Sequence, residues 1–448
     1  MKKFIDSFIN IWKIEELKNR ILLTLGLLLV YRFGAQVTLP GIDASKLANL
    51  TSQTDEGIGW LINVFTGGAF SQASVFALGI MPYISASIVV QLMGIAVPYL
   101  QKLQNDGESG RKKINQITRW LTILITLVQG PGYIYNLYKT LPSDAFYLGA
   151  GSFPFLFSSV LILVTGTIFA MWLGEKITDK GIGNGISLLI MVGIIARMPQ
   201  AFIQEFSART SQVSGGVMMI VIELIIWFLV IIASILLVMA VRKIPVQYAR
   251  RTVSGDFEQD INGANRQFIP LKLNASGVMP IIFAQAIMFI PAAVSGLSKS
   301  DNAISLASMF NDPFGLVYNI VFALLIVIFT YFYTAITVPT NKMADDLKRS
   351  GGFIPGIKPG IETGDYLDKI MSLITFPGSL FLALIAVFPA VAVSVLGVQG
   401  AWGYFYGGTS LLIMVGVAID TIQQINSYLL NKHYDGLMKS GKNRKAVA

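Results

Sequence analysis

The chain contains no cysteine, and a single histidine, His433, sits near its C-terminal end. Without cysteine it can form no disulfide, thiolate nucleophile or iron–sulfur cluster. One histidine in a terminal segment argues against a histidine-ligated metal or a histidine base in the body of the protein. Charge is also scarce: 13% of residues are charged and 54% hydrophobic, with a mean hydropathy of +0.63. Soluble globular chains do not have this balance. The composition is that of a polytopic membrane protein.

A spanning helix needs about 20 predominantly apolar residues, because no backbone polar group can go unpaired in lipid. Ten stretches meet this requirement: 21–39, 73–97, 118–138, 153–173, 185–202, 216–241, 277–297, 314–338, 370–395 and 407–430. The N-terminus alternates Phe4, Phe8, Ile11 and Trp12 with Lys3, Asp6, Lys13 and Glu16. That pattern is expected of an amphipathic segment lying on the membrane surface, not of a cleavable signal.

Charge sets the expected orientation. Of the 34 lysines and arginines, only Arg32, Lys46, Lys139, Arg197, Arg209 and Lys299 fall outside one alternating set of loops and termini. By the positive-inside rule both termini are expected in the cytoplasm. Five spans per half is an odd number, so residues 1–202 and 203–448 are expected to enter the membrane from opposite sides.

One octapeptide is nearly duplicated between these halves: Gly79-Ile80-Met81-Pro82-Tyr83-Ile84-Ser85-Ala86 and Gly277-Val278-Met279-Pro280-Ile281-Ile282-Phe283-Ala284. Each copy opens an apolar stretch and places branched aliphatics four residues apart, on one helical face. Inverted repeats of this kind put a pathway at the interface of the halves.

The spans hold few groups able to do chemistry. Arg32, Glu223 and Asp420 are the charges in or near them, and each reads as a snorkelling or helix-pairing residue. The sequence shows no constellation for an intramembrane protease. Gly181-Ile182-Gly183-Asn184-Gly185 has the look of a phosphate loop but lacks the preceding strand and the following lysine. What remains is aliphatic: Ile80 and Ile84, Ile186 and Ile190, Ile282, and Ile413. Singly these are ordinary membrane residues; as a ring they could gate a pore by dewetting.

Several runs together resemble the SecY family of protein-conducting channels. They are 76–87 (FALGIMPYISAS), Trp172-Leu173-Gly174-Glu175 followed by 181–187 (GIGNGIS), 352–360 (GFIPGIKPG) and 406–413 (YGGTSLLI). The resemblance covers essentially the whole chain. It implies an all-α integral membrane protein of ten transmembrane helices, in two inverted five-helix halves around an hourglass pore. It assigns the pore ring to Ile80, Ile84, Ile186, Ile190, Ile282 and Ile413. A plug is expected at about 58–70, including Asn63, Phe65, Gly67 and Gly68, and a lateral gate with a polar cluster at Ser85, Gln129 and Asn274.

The segments 242–275 and 339–370 resemble loops that dock cytoplasmic partners, through Arg242, Lys243, Arg250, Arg251, Lys348, Arg349 and Lys358. The family usually carries arginine where Lys358 stands, so bidentate contact is lost there. Flanks such as Pro245-Val246-Gln247-Tyr248 are expected to be extended, around turns at 254–256 and 262–263. The implied partners are SecE and SecG in the membrane, the SecA motor, the ribosome, signal sequences, unfolded polypeptide and lipid. No cofactor, metal or enzymatic activity is implied, and the implied location is the bacterial plasma membrane. The alternative is a solute transporter built on inverted repeats, which would need a deep polar substrate site.

Overall fold

The computed structural model describes residues 12, 14–47, 63, 65–147, 153–211, 216–248, 267–295, 312–398 and 400–445. Each of the ten predicted stretches coincides at least in part with a helix. In chain order these are α1 (Glu15–Gly34), α2 (Met81–Ala96) with the short α3 (Pro98–Asn105), α4 (Gly107–Thr140), α5 (Phe153–Lys180), α6 (Gly185–Thr210) and α7 (Gly216–Met239). Then follow α8 (Met279–Ser295), α9 (Leu316–Thr337), the short α10 (Thr340–Arg349), α11 (Ile361–Leu396) and α12 (Gly408–Lys445). Among the described residues six helices are long and apolar enough to cross a membrane (α5, α6, α7, α9, α11 and α12), and a seventh if α2 and α3 count as one bent span.

Several helices outrun the apolar windows. α4, α11 and α12 extend into the charged segments beside them, reaching 34, 36 and 38 residues. The fifth span, the shortest in the sequence, runs 26 residues because the polar turns after Phe202 remain helical. The second is shorter than expected: residues 66–80 form a series of turns, and helix begins only at Met81.

The duplicated octapeptide explains that late start. Gly79 has φ +52° and Gly277 φ +62°, a left-handed conformation that disfavours any residue with a Cβ. Helix then starts at Met81 and at Met279, and the proline follows in second position, where its missing N–H costs nothing. The repeat is therefore a helix-start device used twice.

The chain divides into two compact units. The first comprises Met1–Val213, Gln399–Trp402 and Val417–Ala448. Its core gathers Leu39, Phe70, Ile134, Leu137, Phe155 and Leu163, with the rings of Tyr138, Phe146 and Phe155 packed 5.0–6.0 Å apart. The second comprises Ser214–Val398 and Gly403–Gly416. Its core gathers Ile281, Ala284, Met288, Phe322, Ile326, Leu382 and Leu412. Within it Trp227 donates from its indole to the Phe405 carbonyl at 2.9 Å, and Thr409 donates to Gln285 Oε1 at 2.9 Å.

The second unit also carries a small sheet. β1 (Val241–Tyr248) pairs antiparallel with β2 (Gln267–Lys272), with Ile244 opposite Ile269, and with β3 (Gly352–Phe353) on its other edge. The extended flank at 245–248 is thus a strand. That residues 352–353 join the same sheet follows from no local pattern. Ile244, Val246 and Leu271 bury one face against Leu347 of α10, Ile354, and Leu367 and Met371 of α11.

Candidate functional site

The six isoleucines occupy one kind of position: each lies at the start or within the first two turns of its helix. Ile80 precedes the first residue of α2 and is buried, and Ile84 is half-buried one turn later. Ile186 and Ile190 open α6, the first half-buried against Gly174 of α5 and the second buried. Ile282 stands in the first turn of α8, half-buried, and Ile413 in the second turn of α12, buried. Ile84 and Ile282 hold the same register in the two copies of the repeat, five residues after the positive-φ glycine. Four of the six belong to the first unit and two to the second.

The segment expected to form a plug is described only in its C-terminal part. Residues 58–62 and 64 lie outside the described residues. From Asn63 onward the chain folds into a turn that satisfies its own polar groups: Gly68 N–H donates to the Asn63 carbonyl (2.8 Å), Ser71 N–H to Asn63 Oδ1 (3.1 Å) and Ser71 Oγ to the Gly68 carbonyl (3.1 Å). Gly67 and Gly68 have φ +65° and +92°. Asn63, Phe65, Thr66, Ala69 and Ser71 are all buried.

Three helices of the same unit grip this turn. Arg32 of α1 donates to the Gly67 carbonyl at 2.8 Å, and Arg197 of α6 to Ser71 Oγ at 2.7 Å. Tyr133 of α4 donates to the Phe70 carbonyl at 2.8 Å. Gly193 of α6 meets the turn backbone to backbone: a Cβ there would lie 3.2 Å from Gly67 N and from the Phe65 carbonyl oxygen. Arg32 is therefore not a snorkelling charge, as its place near a helix end implied; its guanidinium turns inward to a carbonyl. Sequence reasoning missed this role, and the only signal was an arginine retained in an otherwise apolar span.

Glu223 is 1% exposed, which excludes snorkelling and leaves the helix-pairing alternative, whereas Asp420 is exposed on α12.

The glycine run 181–185 offers no free cradle for phosphate. Ile182 N–H donates to Thr24 Oγ1 (3.1 Å), Gly183 N–H to Gln424 Oε1 (2.8 Å) and Gly185 N–H to Thr178 Oγ1 (2.8 Å). Asn184 caps α6 by accepting from Ser187 N–H. The donors that would bind an anion instead join α1, α5, α6 and α12.

Of the polar cluster, Ser85 is half-buried in α2, Gln129 exposed on α4, and Asn274 half-buried before α8, accepting from Ser276 Oγ at 3.3 Å. Arg242 and Lys243 stand exposed on β1, and Lys348 and Arg349 at the exposed end of α10. Lys358 lies in the glycine-punctuated loop after β3, with Glu362 3.5 Å away. Arg250 and Arg251 lie outside the described residues.

These elements define a class: a duplicated, polytopic helical membrane protein with a buried turn folded into one unit and a basic sheet-and-helix cap on the other. The SecY family model matches residues 74–422. The protein translocase subunit SecY of Haemophilus influenzae is 40% identical over 428 residues, covering 95% of this chain and 94% of the relative. That of Streptomyces scabiei is 37% identical over 446 residues, covering 97% and 100%. That of Escherichia coli K12 is 39% identical over 428 residues, covering 95% and 94%.

Solved structures share the fold at lower identity. One is a protein-conducting channel (17% identity, TM-score 0.58, 91% of each chain). Another is a SecY in which the plug domain stabilises the closed state of the translocation channel and maintains a membrane seal (17%, 0.59, 91% of each). A third is Sec61 in the canine ribosome–channel complex (16%, 0.55, 91% of each). The chain belongs to the SecY family.

Proposed function

We propose that this chain is the protein-conducting channel of a translocase, passing unfolded secretory polypeptide across the membrane and releasing transmembrane segments sideways into lipid. The observation that carries the reading is the run of turns at 66–80. Non-helical backbone is tolerated at membrane depth only where protein buries it or where it lines a cavity. Here it is buried, self-satisfied and held by three helices, as a movable closure requires. An inverted-repeat solute transporter is not favoured, given the family and the aliphatic character of the repeated helices.

In this reading Ile80, Ile84, Ile186, Ile190, Ile282 and Ile413 form a constriction that stays dry when closed and deforms around a passing chain. Residues 58–70, with Asn63, Phe65, Gly67 and Gly68, form the plug. α2 and α8 part as the lateral gate, with Ser85, Gln129 and Asn274 as a weak polar latch. Arg242, Lys243, Arg250, Arg251, Lys348, Arg349 and Lys358 meet cytoplasmic partners, namely the SecA motor or the ribosome. The likeness to ribosome-bound channels supports the second of these. SecE and SecG complete the membrane complex. The chain sits in the bacterial plasma membrane with both termini cytoplasmic, hydrolyses nothing itself and draws energy from those partners.

A photoreactive residue at Ile84 or at Ile282, with a stalled secretory chain, tests the reading. A channel gives an adduct to the nascent chain from both positions. Adducts from neither, with the stalled chain engaged at the membrane, would overturn it.

A further inference from the structure

Two arginines from different helices converge on the turn at 66–71, and each donates a hydrogen bond to it. Arg32 Nη1 reaches the Gly67 carbonyl at 2.8 Å. Arg197 Nη2 reaches Ser71 Oγ at 2.7 Å, while its Nη1 donates to Gln200 Oε1 at 3.3 Å. The Ser71 hydroxyl in turn donates a hydrogen bond to the Gly68 carbonyl at 3.1 Å, and the Gly68 amide donates to the Asn63 carbonyl. Arg197 is thereby connected through one hydroxyl to the bonds that close the turn.

The glycines fit the arginines. A Cβ on Gly67 would lie 2.6 Å from Arg32 Nη1, and a Cβ on Gly68 3.0 Å from Arg197 Nε. Both also need positive φ, so two independent constraints demand glycine between the guanidinium groups.

We infer that Arg32 and Arg197 are a two-point latch that holds the plug turn closed and sets how readily the channel opens. The inference rests on the channel reading above and assigns a role to two positioning residues within it. The chemistry suits a latch. A guanidinium bond to a carbonyl or hydroxyl is charge-assisted and firm. Water can take the place of either acceptor when the bond breaks. The two bonds act beside that of Tyr133 to the Phe70 carbonyl, and the turn leaves more readily as each arginine lets go.

Ion conductance of the complete purified complex in planar bilayers, with and without an engaged secretory chain, tests this. Arg32→Gln and Arg197→Gln should each raise resting conductance about tenfold or more, and the double variant more than either, from the loss of charge-assisted bonds. Conductance with an engaged chain should stay at the wild-type value. In a channel lacking residues 58–70 the double substitution should add nothing. A double variant as tight as wild type overturns the latch, and so does a leak that persists after the plug is removed.

Should the double variant fail to assemble, Ser71→Ala decides the matter. It removes Arg197's acceptor without touching a span, and it should leak like Arg197→Gln; a tight Ser71→Ala channel refutes the latch. A wild-type complex that never conducts with a chain engaged would instead defeat the channel reading. A conducting wild type with tight variants defeats the latch alone.

Discussion

The backbone amide of Gly183 donates to the Gln424 carboxamide at 2.8 Å, joining residues 241 positions apart. Gly183 is buried, with φ +82°, and a Cβ on it would lie 3.0 Å from Thr421 Oγ1. A glycine run resembling a nucleotide loop is thus a junction within the first unit, to the part of α12 after residue 416.

Loss of that acceptor should be costly. Gln424→Leu leaves a buried N–H without a partner, an expense of about 1–3 kcal/mol. Gln424→Glu keeps an oxygen in reach and should lose less. Thermal unfolding in detergent reads the difference, and a Leu variant with a wild-type midpoint would show that water replaces the carboxamide.

Ile282→Asn and Ile413→Asn should wet the proposed constriction, since a polar ring admits water more readily than an aliphatic one. Both variants should export clients with defective signal sequences and leak small ions. Unchanged stringency and conductance in both would remove these residues from the ring. Ile413 is 1% exposed and Ile282 half-buried, so the Ile413 variant should also lose more stability.

Reversing Arg242 and Lys243 to glutamate should weaken SecA or ribosome binding several-fold and flatten its dependence on salt. Both side chains are exposed, Lys243 on the face opposite Ile244 and Val246 and Arg242 at the end of the strand beyond Ile244, so the sheet should keep most of its stability. Wild-type affinity and salt slope, measured on the purified complex, would make these residues topology signals only.

The segments 36–47 and 141–147 are tied by Lys46 and Asp144, 2.7 Å apart, beside backbone bonds from Asp43 N–H to the Ala145 carbonyl and from Tyr147 N–H to the Gly41 carbonyl. The hydrogen bond from Lys46 holds the Asp144 carboxyl below its usual range, and Asp144 raises Lys46 above its own. A lowered carboxylate contributes stability above its unfolded value of about 4, lost as pH falls through the folded one. A raised lysine contributes below about 10.5, lost as pH rises through its folded value. Amide exchange at Tyr147 should therefore be slowest between these limits and quicken on both sides. In Asp144→Asn the profile, corrected for intrinsic exchange, should be flatter, with the Asp43 carboxyl, held low by Ser45, leaving the remaining acid-side change.

The spans were legible because lipid demands one property of every spanning residue, and that property is local. The helix starts at Met81 and Met279 were legible for the same reason: a positive-φ glycine and a second-position proline act within a few residues. Local pattern failed where partners are distant. Arg32 reads as an end-of-helix charge until Gly67 is placed beside it, and Gly352–Phe353 reads as loop until β1 offers an edge. The isoleucines were found by resemblance to a family, since an isoleucine in an apolar helix carries no distinguishing local signal.

By itself the sequence determined that the chain is membrane-embedded and helical, where it crosses, and that its two halves share a helix-start device. Those follow from hydropathy, loop charge and backbone restriction, each set by neighbours in the chain. Only the tertiary structure decided that residues 63–71 fold into a turn between two arginines, that the glycine run is a junction and not an anion site, and that two separate loops make one sheet. Each depends on where a hydrogen-bond donor finds its acceptor, and for the arginines and the glycine run those acceptors lie 35, 126 and 241 residues away.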